Sequence, residues 1–186
     1  MSSYKAGEDM IKIKTVYVDM DGVLADFDKK YHQFFGITPA QGRRDSYAQY
    51  SARWNNFIDN KGFACLDWFE GGSQLVIWLN KQRDRGLIDI AILSSSGGLD
   101  RHNEVREQKV KWLCDKGITW PSIIVPGKQY KAAFASGKTA LIDDTLSNVE
   151  QFTANGGLGI RHLKDEKWKS TYTIECWING ETINAS

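Results

Sequence analysis

Short apolar runs alternate along the chain with longer stretches whose apolar residues recur every three or four positions. This is the pattern of parallel strands joined by helical crossovers. Four runs stand out: Thr15 to Val18, Ile88 to Leu93, Ile123 to Val125 and Thr139 to Ile142. Between the second and third, Arg101 to Lys116 carries Val105, Lys109, Trp112 and Leu113 at helical spacing, with Gly117 where a left-handed cap residue is wanted. Upstream, Ser73 is placed to cap a helix running to Arg85, which presents Leu75 and Leu79 and is followed by Gly86. After the fourth run, Thr145 to Phe152 has a helical pattern, Gly156 and Gly157 turn the chain, and Leu158 to His162 adds a further strand. Thr171 to Ile178 alternates and predicts a late, peripheral strand ending at an Asn179-Gly180 turn. The stretch from Phe27 to Phe69 breaks the alternation: it is rich in aromatic and polar residues and predicts a small helical insertion.

Composition narrows the function classes. With 186 residues, 41% of them hydrophobic and 25% charged, the chain is long enough for one main globular domain and a sizeable core. A net charge of +1 leaves no basic surplus for a run of phosphates, which argues against duplex nucleic acid as a partner. Neither the segment Met1 to Lys14 nor any later one has the apolar run of a signal peptide or a membrane span. The three cysteines, Cys65, Cys114 and Cys176, lack metal-ligand spacing and are odd in number, so a reducing cytoplasm is the expected home.

The chemistry gathers at strand ends. Asp19 and Asp21 stand two positions apart in Val18-Asp19-Met20-Asp21-Gly22, immediately after the first strand, and side chains at that spacing share a face. In an open parallel sheet the carboxyl ends of the strands are where ligands bind. A calcium loop of the EF-hand type is excluded, because Val23 and Lys30 occupy positions where that loop needs oxygen ligands. The acids alone are compatible with a solvated turn, and other segments decide. Leu141-Ile142-Asp143-Asp144 ends a second apolar strand in two acids, which beside Asp19 would form an oxygen cluster suited to Mg²⁺. Ile92-Leu93-Ser94-Ser95-Ser96-Gly97-Gly98 offers hydroxyls and glycine amides able to hold a phosphate, and Lys131 can supply a cation against phosphoryl charge.

These four segments, in this order, resemble the four motifs of the haloacid dehalogenase superfamily. Asp19 to Phe27, with Leu141 to Asp144 and Asn148, is similar to the 5'(3')-deoxyribonucleotidase branch and its bacterial and phage relatives. The resemblance covers about Lys14 to His162. It implies an α/β fold: a doubly wound parallel sheet with the first strand central, residues 1–27 and 70–186 as catalytic core, and residues 28–69 as a small helical cap closing over the strand ends. It also implies a Mg²⁺-dependent phosphatase. Asp19 is then the nucleophile that forms an aspartyl-phosphate, and Asp21 protonates the leaving oxygen and afterwards activates water. Asp19, the main-chain oxygen of Asp21, and Asp143 would hold Mg²⁺ with Asp144 assisting, and Ser94 and Ser95 would contact phosphate. The lysine motif is ambiguous among Lys128, Lys131 and Lys138; Lys131 is preferred because it begins a Lys131-Ala132-Ala133-Phe134-Ala135 helix like the family's. The Ser96-Gly97-Gly98 continuation departs from the proline-containing loop of the vertebrate enzymes.

The implied substrate is a small phosphorylated molecule, a nucleoside monophosphate and by the branch a deoxyribonucleotide. A phosphatase of a sugar phosphate or another small metabolite, a polynucleotide-end phosphatase, against which the balanced charge speaks, and a catalytically silent binding protein are the alternatives, and homo-oligomerisation is left open. Among the insertion's aromatics, Phe27 and Trp68 are the candidates to face a nucleobase, since any base offers a flat ring to stack on. His102 is read as a solvated helix-start residue, Arg43 and Arg44 as a surface pair, and Cys114 as a packing residue.

Overall fold

The computed structural model describes residues 14–182, so most of the amino-terminal segment from Met1 to Lys14 lies outside it. Five strands form one parallel sheet: β1 (Lys14–Val18), β2 (Ile88–Ser95), β3 (Ser122–Val125), β4 (Thr139–Asp143) and β5 (Leu158–Arg161), in the spatial order β3-β2-β1-β4-β5. The first strand is therefore central, and the order reverses beside it, which is where a doubly wound sheet opens a crevice. Val18 lies level with Ile92 on one side and Ile142 on the other. The residues that follow, Asp19, Leu93-Ser94 and Asp143, consequently emerge along one edge.

Alternation along the strands divides the core in two. Val16, Val18, Ile90, Ile92, Ile124, Ala140 and Ile142 point into the larger cluster, and Tyr17, Leu93, Ile123, Val125 and Leu141 into the smaller. Phe152 of α6 (Leu146–Ala154) and Phe134, at the end of the 3₁₀ segment Lys128–Phe134, complete the smaller cluster. Leu75 and Leu79 of α4 (Gly72–Asp84) and Val105 and Trp112 of α5 (His102–Asp115) belong to the larger one, so helices cover both faces.

Between β1 and α4 lie α1 (Phe27–Phe35), α2 (Pro39–Gly42), α3 (Tyr47–Asp59) and a 3₁₀ turn, Gly62–Cys65. Their starts are locally encoded. Asp26 accepts from the Lys29 amide, and Thr38 with Gln41 and Ser46 with Gln49 form reciprocal capping boxes. The insertion's buried rings Tyr31, Phe57 and Phe63 belong to the same cluster as the sheet residues Val16 and Ile92.

Four local expectations are corrected. Residues 171–178 are not a strand but part of α7 (Lys167–Asn179), and Gly180 is its left-handed cap. The β-branched Thr171, Thr173 and Ile174 favour extended backbone, but the buried positions Ser170 and Ile174 follow helical spacing, and Tyr172 is exposed. Ser73 does not cap α4; the cap is Gly71 at positive φ, and the Ser73 hydroxyl turns to Gln74. Lys131 does not begin its helix but sits in the last turn of the 3₁₀ segment. Cys114 is exposed rather than packed. Among the described residues no helix is long and apolar enough to cross a membrane.

Candidate active site

The strand ends and the insertion enclose a cavity of about 820 Å³. Asp19, Asp21, Ser94, Ser95, Lys131 and Asp144 all line it. Asp143 lies beneath, fully buried, where its carboxylate accepts from the Thr145 amide at 2.9 Å and from the Asn148 side chain at 3.0 and 3.1 Å. Lys131, 1% exposed, places its ammonium 2.8 Å from Asp19 and 2.7 Å from Asp143. The other Asp19 oxygen accepts from the Met20 amide at 2.7 Å. Of the three candidate lysines, then, Lys131 reaches the acids. Lys128, exposed one 3₁₀ turn earlier, only lines the cavity.

Gly22 allows the two acidic segments to meet. Its φ of +76° is unfavourable for other residues, and a Cβ there would lie 2.5 Å from Asp144 Oδ2. Asp19, Asp143 and Asp144 can bring one oxygen each within 4.8 Å of one another. The Asp21 carboxylate stands apart from this trio. It turns to Lys109, whose ammonium lies 2.6 Å from Asp21 Oδ2 and 2.9 Å from Ser94 Oγ, while Asp21 Oδ1 is buried with no protein partner.

Four carboxylates thus face two ammonium groups, an excess of two negative charges. The pKa values register it. Burial, joined by Asp19 and Asp143, pushes Asp144 up to about 7. Asp143 is raised by burial and by Asp19, and Asp21 by burial against the opposing pull of Lys109. Burial disfavours the Lys131 ammonium, but Asp19 and Asp143 outweigh it and raise that group. Hard oxygen donors with an uncompensated charge of two suit a divalent cation such as Mg²⁺.

Of the aromatic residues expected to face substrate, Phe27 lines the cavity. Trp68 does not: its ring packs against Trp112, 5.2 Å between centroids, away from the opening. Tyr50 and Trp54 occupy the wall instead, stacked at 6.3 Å. A Cβ on Gly97 would come within 2.7 Å of the Trp54 ring, so the bare serine-glycine loop lets α3 settle against it. Arg43 reaches the rim. His102 is half-buried, bonded to Ser96 Oγ at 2.8 Å rather than solvated.

Two buried residues carry no role from the sequence reading. Lys109 occupies the core face of α5, and its signal was a charge within an apolar stripe. His162 lines the cavity floor with Nδ1 on Ser170 Oγ at 2.9 Å; burial, with Lys167 nearby, pushes its pKa down to about 4.

Comparison of the sequence with protein-family models and with curated proteins gives no match. Solved structures do match. A hydrolase from Streptococcus pneumoniae TIGR4 aligns with a TM-score of 0.51 and 14% identity over 88% of this chain and 100% of its own. The L-2-haloacid dehalogenase of Xanthobacter autotrophicus aligns with 0.53 and 13% over 88% and 83%. A haloacid dehalogenase-like family hydrolase from Streptococcus pneumoniae aligns with 0.54 and 14% over 78% and 82%. The sheet order, the helices on both faces and these neighbours together identify the α/β, Rossmann-like fold of the haloacid dehalogenase-type hydrolases.

Proposed function

We propose that this protein is a Mg²⁺-dependent phosphomonoester hydrolase acting on nucleoside monophosphates, deoxyribonucleotides foremost, through an aspartyl-phosphate. The observation that carries this reading is the pairing of Asp19 and Asp21 at one strand end. Asp19 is clamped by Lys131 and the Met20 amide, and Asp21 is held separately by Lys109.

The Asp19 carboxylate attacks phosphorus as the bond to the leaving oxygen breaks, and protonated Asp21 gives that oxygen its proton. Asp21, now a carboxylate, takes a proton from water as the water oxygen bonds to phosphorus, and the bond to Asp19 breaks to release phosphate. Splitting one displacement into two with a switching acid/base is covalent catalysis. Lys131 offsets charge on Asp19 and on the transferring group, and Ser94 and Ser95 orient phosphate oxygens. Asp19, Asp143 and Asp144 would hold Mg²⁺, which neutralises the approach of two anions when bound. The raised pKa of Asp21 suits a group that must be protonated at the start of the cycle.

The insertion, residues 28–69, acts as the cap. With Phe27 it presents Tyr50 and Trp54 as a wall on which a nucleobase stacks. The test is phosphate release from a panel of mononucleotides and sugar phosphates, with Mg²⁺ and with excess chelator. We expect cation-dependent release with nucleotides preferred. Preference for sugar phosphates overturns the substrate assignment, and full activity in chelator overturns the metal assignment.

A further inference from the structure

Lys109 is the one buried ammonium that the scheme above uses only as a partner, and its surroundings are specific. It is 0% exposed, projects from the middle of α5 and does not line the cavity. Its ammonium lies over the Phe63 ring, with Nζ 5.2 Å from the centroid. Nζ then ends between Asp21 Oδ2 and Ser94 Oγ, at 2.6 and 2.9 Å. Asp21 lies 88 positions from Lys109 in the chain, so the contact exists only in the folded protein.

Burying an ammonium is costly, and an apolar side chain of similar length would pack the same space without that cost. Structural need alone does not call for a lysine here. What the ammonium does is divide Asp21. One oxygen is engaged at short range by a charged donor, and Oδ1 is left with no protein partner although it is buried. The same group holds the Ser94 hydroxyl, so the acid and a phosphate-facing oxygen share one anchor. An aspartate has two equivalent oxygens and a free χ2 rotation. Anchoring one removes that degeneracy.

We propose, resting on the phosphatase reading above, that Lys109 is a positioning residue: through its bond to Oδ2 it fixes the Asp21 carboxyl group in the orientation in which it exchanges a proton with the leaving group and with water. In the first step the Asp21 carboxylic acid transfers its proton to the departing oxygen as the Asp19–phosphorus bond forms and the bond from phosphorus to that oxygen breaks. In the second, the Asp21 carboxylate removes a proton from water as the water oxygen bonds to phosphorus and the Asp19–phosphorus bond breaks.

A residue that acts through the acid matters most when the leaving group needs a proton. The experiment is rapid-quench, single-turnover formation of the phosphoenzyme with Mg²⁺, using a nucleoside 5'-monophosphate and 2,4-dinitrophenyl phosphate, whose leaving group departs unprotonated. In Lys109→Met, formation from the nucleotide should fall about 10²-fold, the lower range for a positioned acid. Formation from the dinitrophenyl ester should fall less than about fivefold. Equal losses on both esters, as a packing defect produces, overturn the proposal; so do unchanged rates on both. A second comparison covers failure of the single variant to fold, because Asp21→Asn/Lys109→Met removes both charges together and strands neither. Its rate on the dinitrophenyl ester should equal that of Asp21→Asn alone, and a further loss means that Lys109 acts other than through Asp21. If the unmodified protein forms no phosphoenzyme from either ester, the phosphatase reading and this inference fall together. A phosphoenzyme in the unmodified protein with equal losses in Lys109→Met removes the inference alone.

Discussion

The two sides of the cavity are held together by different forces. At the strand ends every carboxylate but Asp144 has a charged or amide donor within 3 Å, and the ammonium groups that serve them are buried. Across the opening, α1, α3 and the 3₁₀ turn Gly62–Cys65 meet through rings at varied angles, from 8° between Phe27 and Phe63 to 85° between Phe57 and Phe63. Directional bonds admit few arrangements, whereas apolar rings repack with modest loss. The first side suits chemistry that every substrate shares, and the second suits recognition of the part that varies.

That contrast breaks most sharply at Asp19. Asp19→Asn should keep the fold yet reduce phosphate release to background, measured at saturating nucleotide with Mg²⁺. Retained turnover would remove the covalent scheme. Lys131→Met should cost about 10²-fold or more in turnover by removing charge stabilisation. It should also lower stability by about 3 kcal/mol, because two buried carboxylates lose their partner. If Lys128→Met instead proves crippling and Lys131→Met harmless, the lysine assignment is one 3₁₀ turn out of place.

Substitution on the other side should act selectively. Trp54→Ala or Phe27→Ala should reduce the preference for nucleotides over a small artificial ester by about tenfold to hundredfold, the worth of one base stack at roughly 1–3 kcal/mol. Trp68→Ala should leave the preference intact, since that ring faces Trp112. Equal loss on both substrates in the Trp54 and Phe27 variants would mean that the wall only supports the fold.

The smallest effect is in stability against pH. Asp144, moved from 3.8 to about 7, holds its proton more tightly in the folded chain, so it withdraws stability as pH rises from about 4 to about 7; Asp21 and Asp143 shift in the same direction. His162, moved from 6.5 to about 4, does the reverse and adds stability as pH rises through that window. Melting with and without Mg²⁺ separates the two, because the cation takes the place of protons on the carboxylates but not on the histidine. The gain in melting temperature from Mg²⁺ should grow from about pH 5 to about pH 7, at roughly 2–4 °C per kcal/mol for a chain of this size. A gain independent of pH would place the cation elsewhere.

Much of the strand-end side is legible in the sequence for a local reason. Apolar strands that end abruptly in acids, serines or glycine state both the strand and what it presents, and Asp19, Ser94 and Asp143 sit where those endings imply. Lys109 is not legible in this way. Its partners arrive from the loop after β1 and from β2, and in sequence it is one more position on an amphipathic helix. The insertion hides its assignments too. Trp54 and Trp68 are equally aromatic, and only the packing of α3 against Gly97 and of Trp68 against Trp112 separates them. For α7, β-branched composition imitated a strand until tertiary packing selected the helical period.

Tyr31, Phe57 and Phe63 share their cluster with the sheet. A wall founded on the same interior as the strands cannot swing without opening that interior, so the passage to the strand ends is dimensioned when the chain folds. Lineages descending from this chain therefore have little hinge to lengthen or loosen. New specificities are to be sought in exchanges of single rings along the wall, whereas exchanging Phe63, buried outside the wall between Phe27 and Lys109, would disturb the strand-end site as well.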